Sequence, residues 1–219
     1  MTRLHDEKGN RVAWKRLLRN GSRAYLTGLG RLFLGFRPSV PWISYDAIKL
    51  LEATLDPASR VIEFGSGMST LWYARHAGFV YSIENCELWY RKTAGMLEKH
   101  GIRNVRYRYA SSRAEYITPP GMADTKYDLI MVDGDYRSEC IRNALPLLCE
   151  TGVLYLDNSD KDSRDSGGDL RLAEDLALDF ARRTNSTVTY FTDFAPTQFT
   201  PNQGLMVTCG GKADATTLI

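Results

Sequence analysis

Arg60-Val-Ile-Glu-Phe-Gly-Ser-Gly-Met-Ser-Thr70 is the stretch whose reading decides the fold. Val61 to Phe64 is an apolar run of strand length, and Gly65 and Gly67 follow it at once. From Thr70 a helix-like run opens with Leu71-Trp72-Tyr73-Ala74. A strand, a glycine turn and a helix start together bring backbone N–H groups up to a ligand. The two glycines let the turn tighten and let the ligand approach the main chain. A dinucleotide fingerprint would place a third glycine where Thr70 stands, which weakens an NAD reading. Glu84 ends the second apolar run, Phe79-Val-Tyr-Ser-Ile83. An acidic residue there can accept both hydroxyls of a ribose.

Any α/β protein with a glycine turn after its first strand shares part of this pattern. The two acidic residues in register favour nucleotide-type binding. Glu63-Phe-Gly65-Ser-Gly67 with Glu84 resembles the first two motifs of class I S-adenosylmethionine-dependent methyltransferases. The resemblance implies that Glu63 and the turn Gly65-Ser66-Gly67 hold the methionine part of the cofactor, with Ser69 on its carboxylate. It implies Glu84 on the ribose and Ser112 with Asn85 on the adenine edge.

Outward from that stretch, strands and helices alternate. Strand-like runs at 79–83, 105–109, 127–133, 152–156 and 187–191 are separated by helix-like runs at 87–100, 112–117, 138–149 and 169–183. Upstream, Ser44 suits the N-cap of a helix carrying Ile48, Leu51 and Leu55. This order predicts a doubly wound α/β fold: a mostly parallel seven-stranded sheet with helices on both faces and right-handed crossovers. Between 187–191 and the last run, Gly204 to Cys209, only a loop is expected, so the last strand should be antiparallel. The resemblance to the seven-strand methyltransferase pattern spans about residues 42–209.

Residues 1–40 read as a helical appendage, and residues 41–219 as the methyltransferase domain. The formal net charge is only +2, yet residues 1–40 hold nine Lys or Arg against Asp6 and Glu7. The remainder is net acidic, so nucleic acid is not an expected partner. Val12 to Leu18 reads as a short amphipathic helix broken by Asn20-Gly21, and Tyr25 to Leu34 as a second, more apolar one. A basic amphipathic helix can lie on a membrane surface; the expectation here is a lid or homodimer helix packed on the domain. Cys86, Cys140, Cys149 and Cys209 have neither metal nor redox spacing, which fits a reduced cytoplasmic setting. The charged first residues do not suggest a signal peptide.

Ligands of open α/β sheets sit outside the carboxyl ends of the strands. The fourth strand delivers Asp133-Gly-Asp135-Tyr-Arg and the fifth Asp157-Asn158. Oxygen ligands from two neighbouring strand ends suit Mg²⁺, which can lower the pKa of a bound hydroxyl. Asp135 could take the released proton. The set Asp133, Asp157, Asn158 resembles the metal ligands of catechol-type O-methyltransferases. Asp133-Gly-Asp135-Tyr resembles the metal-dependent sugar O-methyltransferases of macrolide and aminocoumarin biosynthesis, and that match makes Asp135 the general base. A second acidic residue expected by that family after the fifth strand is Asn158 here. Without a metal, Asp133 would touch the cofactor or cap a helix. Lys161 reads as a solvated loop lysine, and Trp72 and Trp89 as helix–sheet packing.

The sequence therefore predicts methyl transfer from S-adenosylmethionine to a hydroxyl of a small molecule or sugar, assisted by Mg²⁺. Two alternatives stay open: an NAD-dependent oxidoreductase, and a non-catalytic or membrane-peripheral protein that keeps the fold.

Overall fold

The computed structural model describes residues 4–165 and 167–210. Seven strands form one sheet in the order β3-β2-β1-β4-β5-β7-β6. They are β1 (Arg60–Phe64), β2 (Phe79–Glu84), β3 (Val105–Tyr109), β4 (Tyr127–Val132), β5 (Leu148–Leu156), β6 (Thr187–Asp193) and β7 (Asn202–Thr208). β1 to β5 pair in parallel, and β7 runs antiparallel between β5 and β6. The expected antiparallel last strand is therefore inserted into the sheet rather than added at its edge.

Alternate residues of the central strands face two apolar layers, because a strand has a period of two. Ile62, Ile130, Val132, Leu154 and Leu156 meet one layer, under α6 (Arg113–Ile117), α7 (Arg137–Ala144) and α8 (Asp169–Thr184). Val61, Leu129, Met131, Val153 and Tyr155 meet the other, with α3 (Tyr45–Thr54) and α4 (Met68–His76). Helix α5 (Glu87–Lys99) completes the β2–β3 crossover. Ser44 caps α3 as expected, accepting from the Asp46 N–H at 3.3 Å. Both faces are covered, so the strands read as continuous apolar runs instead of alternating ones.

The appendage departs from its expected form. A helical turn α1 (Trp14–Arg16), a π-turn (Leu17–Gly21) and α2 (Ser22–Leu34) run on through right-handed helical dihedrals. Asn20-Gly21 does not break the helix. Tertiary contacts outweigh its local preference: the buried Asn20 amide donates to Asp193, and Gly21 lies against the Phe194 ring. Val12 and Ala24 are buried in the same apolar layer as Ile43 and Leu51. Among the described residues no helix is long and apolar enough to cross a membrane.

Candidate active site

At the end of β1 the chain turns at Gly65, whose φ is +95°. A Cβ there would lie 2.8 Å from the Gly134 nitrogen, so only glycine lets the β1 and β4 turns touch. Ser66 then donates its N–H and its hydroxyl to Glu84 Oε2, at 3.0 and 2.9 Å. Glu84 Oε1 accepts from the N–H groups of Asn85 and Cys86, at 3.0 and 2.8 Å. A carboxylate offers about four acceptor positions, and all four of these are engaged. A ligand hydroxyl would take the place of the Ser66 hydroxyl, which has a second partner in Tyr107 at 2.6 Å.

Glu63 lies two residues earlier, on the α3/α4 side of the sheet, and is fully buried. It accepts from Thr70 Oγ1 at 2.6 Å, from Ser82 Oγ at 2.7 Å and from Ser69 Oγ. Burial pushes its carboxyl up to about 7, against the pull of those three hydroxyls. Thr70 has a purpose that a fingerprint glycine could not serve. Its hydroxyl also accepts the Gly67 N–H at 3.1 Å and so closes the turn over α4. The space above Gly67 is open, with no atom within 4 Å of where a side chain would start.

A small hollow of about 170 Å³ lies over this turn, lined by Trp42, Ser66, Gly67, Met68, Ser69, Trp89 and Asp133. Trp42, which precedes α3 in the chain, lines the hollow beside the turn. Trp89, read as packing, is at the rim, with the Arg37 guanidinium 5.2 Å from its ring. Of the remaining cofactor candidates, Asn85 Nδ2 donates to Asp135 Oδ2 at 2.8 Å, linking the ends of β2 and β4. Ser112 caps α6, accepting from the Glu115 N–H at 3.3 Å. Larger hollows near α8 and between α2 and α3 lie away from the strand ends.

The expected metal ligands converge, but on a different cation. Arg137, missed by sequence reading, has a side chain only 12% exposed. Its Nε donates to the Gly134 carbonyl at 2.7 Å and Nη1 to the Asp157 carbonyl at 2.5 Å. Nη2 donates to the Asp133 carbonyl at 3.1 Å and to Asn158 Oδ1 at 3.4 Å, and stands 3.6 Å from Asp133 Oδ1. Asn158, at φ +53°, turns its amide oxygen to this guanidinium. Among the described residues no group of three or more His, Cys, Asp or Glu could hold a metal.

Asp157 Oδ1 is buried without a partner among the described residues, and the neighbouring Asp133 carboxylate faces Arg137. A divalent ion about 4 Å from a guanidinium meets roughly 8 kcal/mol of repulsion at an effective dielectric constant of about 20. Asp133, Asp157 and Asn158 therefore do not fit Mg²⁺ while Arg137 is among them. Asp133 and Asp157 follow the neighbouring strands β4 and β5, close enough for the Asp133 charge to act on the Asp157 carboxyl. Burial raises both carboxyls. The Asp133 charge adds to the rise at Asp157, and Arg137 pulls both carboxyls down.

Lys161 is not simply solvated. It pairs with Glu7 at 2.5 Å and so ties the N-terminal segment to the loop after β5.

No known family profile and no curated protein matches this sequence. Solved structures do match. An O-methyltransferase of Bacillus cereus in complex with SAH superposes with a TM-score of 0.65 at 16% identity, over 86% of this chain and 99% of that one. The O-methyltransferase TomG of Streptomyces achromogenes, involved in tomaymycin synthesis and solved with SAM, gives 0.59 at 22% identity, over 86% and 90%. An rRNA methylase of Streptococcus thermophilus gives 0.56 at 18% identity, over 74% and 92%. The chain has the class I methyltransferase fold.

Proposed function

We propose that this chain is an S-adenosylmethionine-dependent methyltransferase acting on a hydroxyl of a small molecule. The observation that carries the reading is the Ser66–Glu84 contact under open space at Gly67. A protein hydroxyl there already occupies the carboxylate position that a ribose hydroxyl would use. The two O-methyltransferases with SAH and SAM support the same cofactor.

The cofactor supplies an already activated methyl group. The residues of this chain bind and orient. Glu84 and the backbone of the 65–69 turn would hold the nucleoside and methionine parts, with Ser69 and the Glu63 hub behind them. Asn85 and Ser112 stand on the adenine side. Trp42 and Trp89 shield the small hollow from water, which favours an in-line approach of the acceptor. Two carboxylates can receive the acceptor's proton. Asp135 is the base proposed from sequence and is exposed on its Asn85 contact. Asp133 lines the hollow itself and is the second candidate. The proposed chemistry runs without a metal, because the Arg137 cation stands beside the carboxylates that would hold one.

Calorimetry with S-adenosylhomocysteine and with NAD tests the reading. Binding of the sulfur nucleotide is the expected result; binding of NAD alone refutes it.

A further inference from the structure

Helix α2 is built the wrong way round for a helix that only covers a core. Its inward side carries Ala24 and Gly28, and a Cβ on Gly28 would meet the Phe199 ring at 2.6 Å. Its outward side carries Leu26, Leu32 and Phe33, which are 68%, 68% and 75% exposed, and Tyr25 lies at the border, 55% exposed with its ring edge-on to Phe199. Trp14 and Leu18 continue this surface towards α1, and Leu34 and Phe36 end it. An amphipathic helix places its large apolar residues against something, and an exposed patch of this kind marks an interaction surface.

Charge selects the occupant. From Lys8 to Tyr45 the sequence holds eight Lys or Arg and no Asp or Glu. Arg16 and Arg19 share Asp46, while Arg11, Lys15 and Arg23 are exposed. A second copy laid on this face would bring cation against cation. An anionic lipid surface offers opposite charge at the border and hydrocarbon at the centre.

We propose that the α1–α2 rod docks the protein on an anionic membrane, with Leu26, Leu32, Phe33 and Leu34 entering the acyl boundary. The face ends at the candidate active site. Arg37, which follows Phe36, has its guanidinium 5.8 Å from the Trp42 ring and 5.2 Å from the Trp89 ring, and both rings line the hollow. Docking brings that rim to headgroup level, so the acceptor it favours is a hydroxyl on an amphiphile. This last step rests on the methyl-transfer reading; the docking does not.

The test uses the full chain. Phosphatidylcholine vesicles containing phosphatidylglycerol should sediment the protein, pure phosphatidylcholine vesicles should retain far less, and salt should release it. Leu26→Ser with Phe33→Ser should weaken vesicle binding at least about tenfold. Arg11→Glu with Lys15→Glu should weaken it as well. All four positions are on the surface, and S-adenosylhomocysteine binding should stay unchanged in both variants. A monomer that ignores phosphatidylglycerol vesicles overturns the proposal, as does a dimer in light scattering that Phe33→Ser splits. A wild-type protein that docks but binds no S-adenosylhomocysteine would refute the methyl-transfer reading and leave the docking standing.

Discussion

Glu63→Gln puts a magnitude on the buried hub beneath the cofactor turn. In the folded protein the Glu63 carboxyl is pushed up from 4.5 to about 7, chiefly by burial. The folded form therefore keeps a proton that the unfolded chain has lost between those two values. Stability from this group is fully present below 4.5, falls as pH rises through the window to about 7, and is level above it. At about 1.4 kcal/mol per unit, the fall is roughly 3 kcal/mol. Glutamine removes the titration and keeps the shape. Its oxygen can accept from Ser69, and the hydroxyls of Thr70 and Ser82 can rotate to accept from its amide. The variant should thus match or trail the wild type near pH 4.5 and gain roughly 3 kcal/mol on it by about pH 8. Urea unfolding of both proteins across that range, followed by tryptophan fluorescence, measures the difference. Subtraction cancels the raised carboxyls of Asp133, Asp157 and Asp193, which both proteins share. A difference that stays flat with pH would refute a Glu63 held protonated by burial.

Glu84→Ala should weaken S-adenosylhomocysteine binding by roughly 1–3 kcal/mol in calorimetry, because four donors lose a charged acceptor; unchanged affinity would remove Glu84 from the site. Wild-type turnover should be indifferent to EDTA, and Arg137→Ala should create a Mn²⁺ site, visible by electron paramagnetic resonance, at Asp133, Asp157 and Asn158. Mn²⁺ binding by the wild type would reverse that reading. Of Asp133→Asn and Asp135→Asn, the one that removes the proton acceptor should cost about 10²–10⁴-fold in rate, partly recovered at higher pH. Gly28→Ala should change stability in thermal unfolding by no more than about 1 kcal/mol, because the half-exposed Phe199 ring can swing aside while alanine gains helix propensity.

The sheet was legible because burial on both faces leaves nearly continuous apolar runs, and Val61–Phe64, Phe79–Ile83 and Tyr127–Val132 stand out although each carries one polar residue, Glu63, Ser82 and Asp128. Gly65, Gly67 and Glu84 were legible because their spacing follows from a strand, a turn and a second strand. Arg137 was not, since three of its partners are main-chain carbonyls contributed by two strands, and carbonyls leave no mark on a sequence. The same holds for the helix through Asn20-Gly21, where Asp193 and Phe194 arrive from the far end of the chain to override a local breaker. Thr70 looked like a defect in a glycine motif because the hydroxyl acceptor it serves, Glu63, is seven residues earlier and buried. Lys161 looked solvated because Glu7 is distant in sequence.

The contact of Gly65 with Gly134 has a consequence for how the protein is made. The first turn rests directly on the second, and the chain that forms β2 and β3 must be synthesised before β4 can slot in beside β1. A nascent chain that has emerged only as far as β3 already carries every residue of the Glu63–Glu84 pattern. It still has nothing for Gly65 to lean on. The binding turn is thus a late product of synthesis despite its early place in the sequence, and a proteolytic fragment ending before Tyr127 would retain the motif without the site.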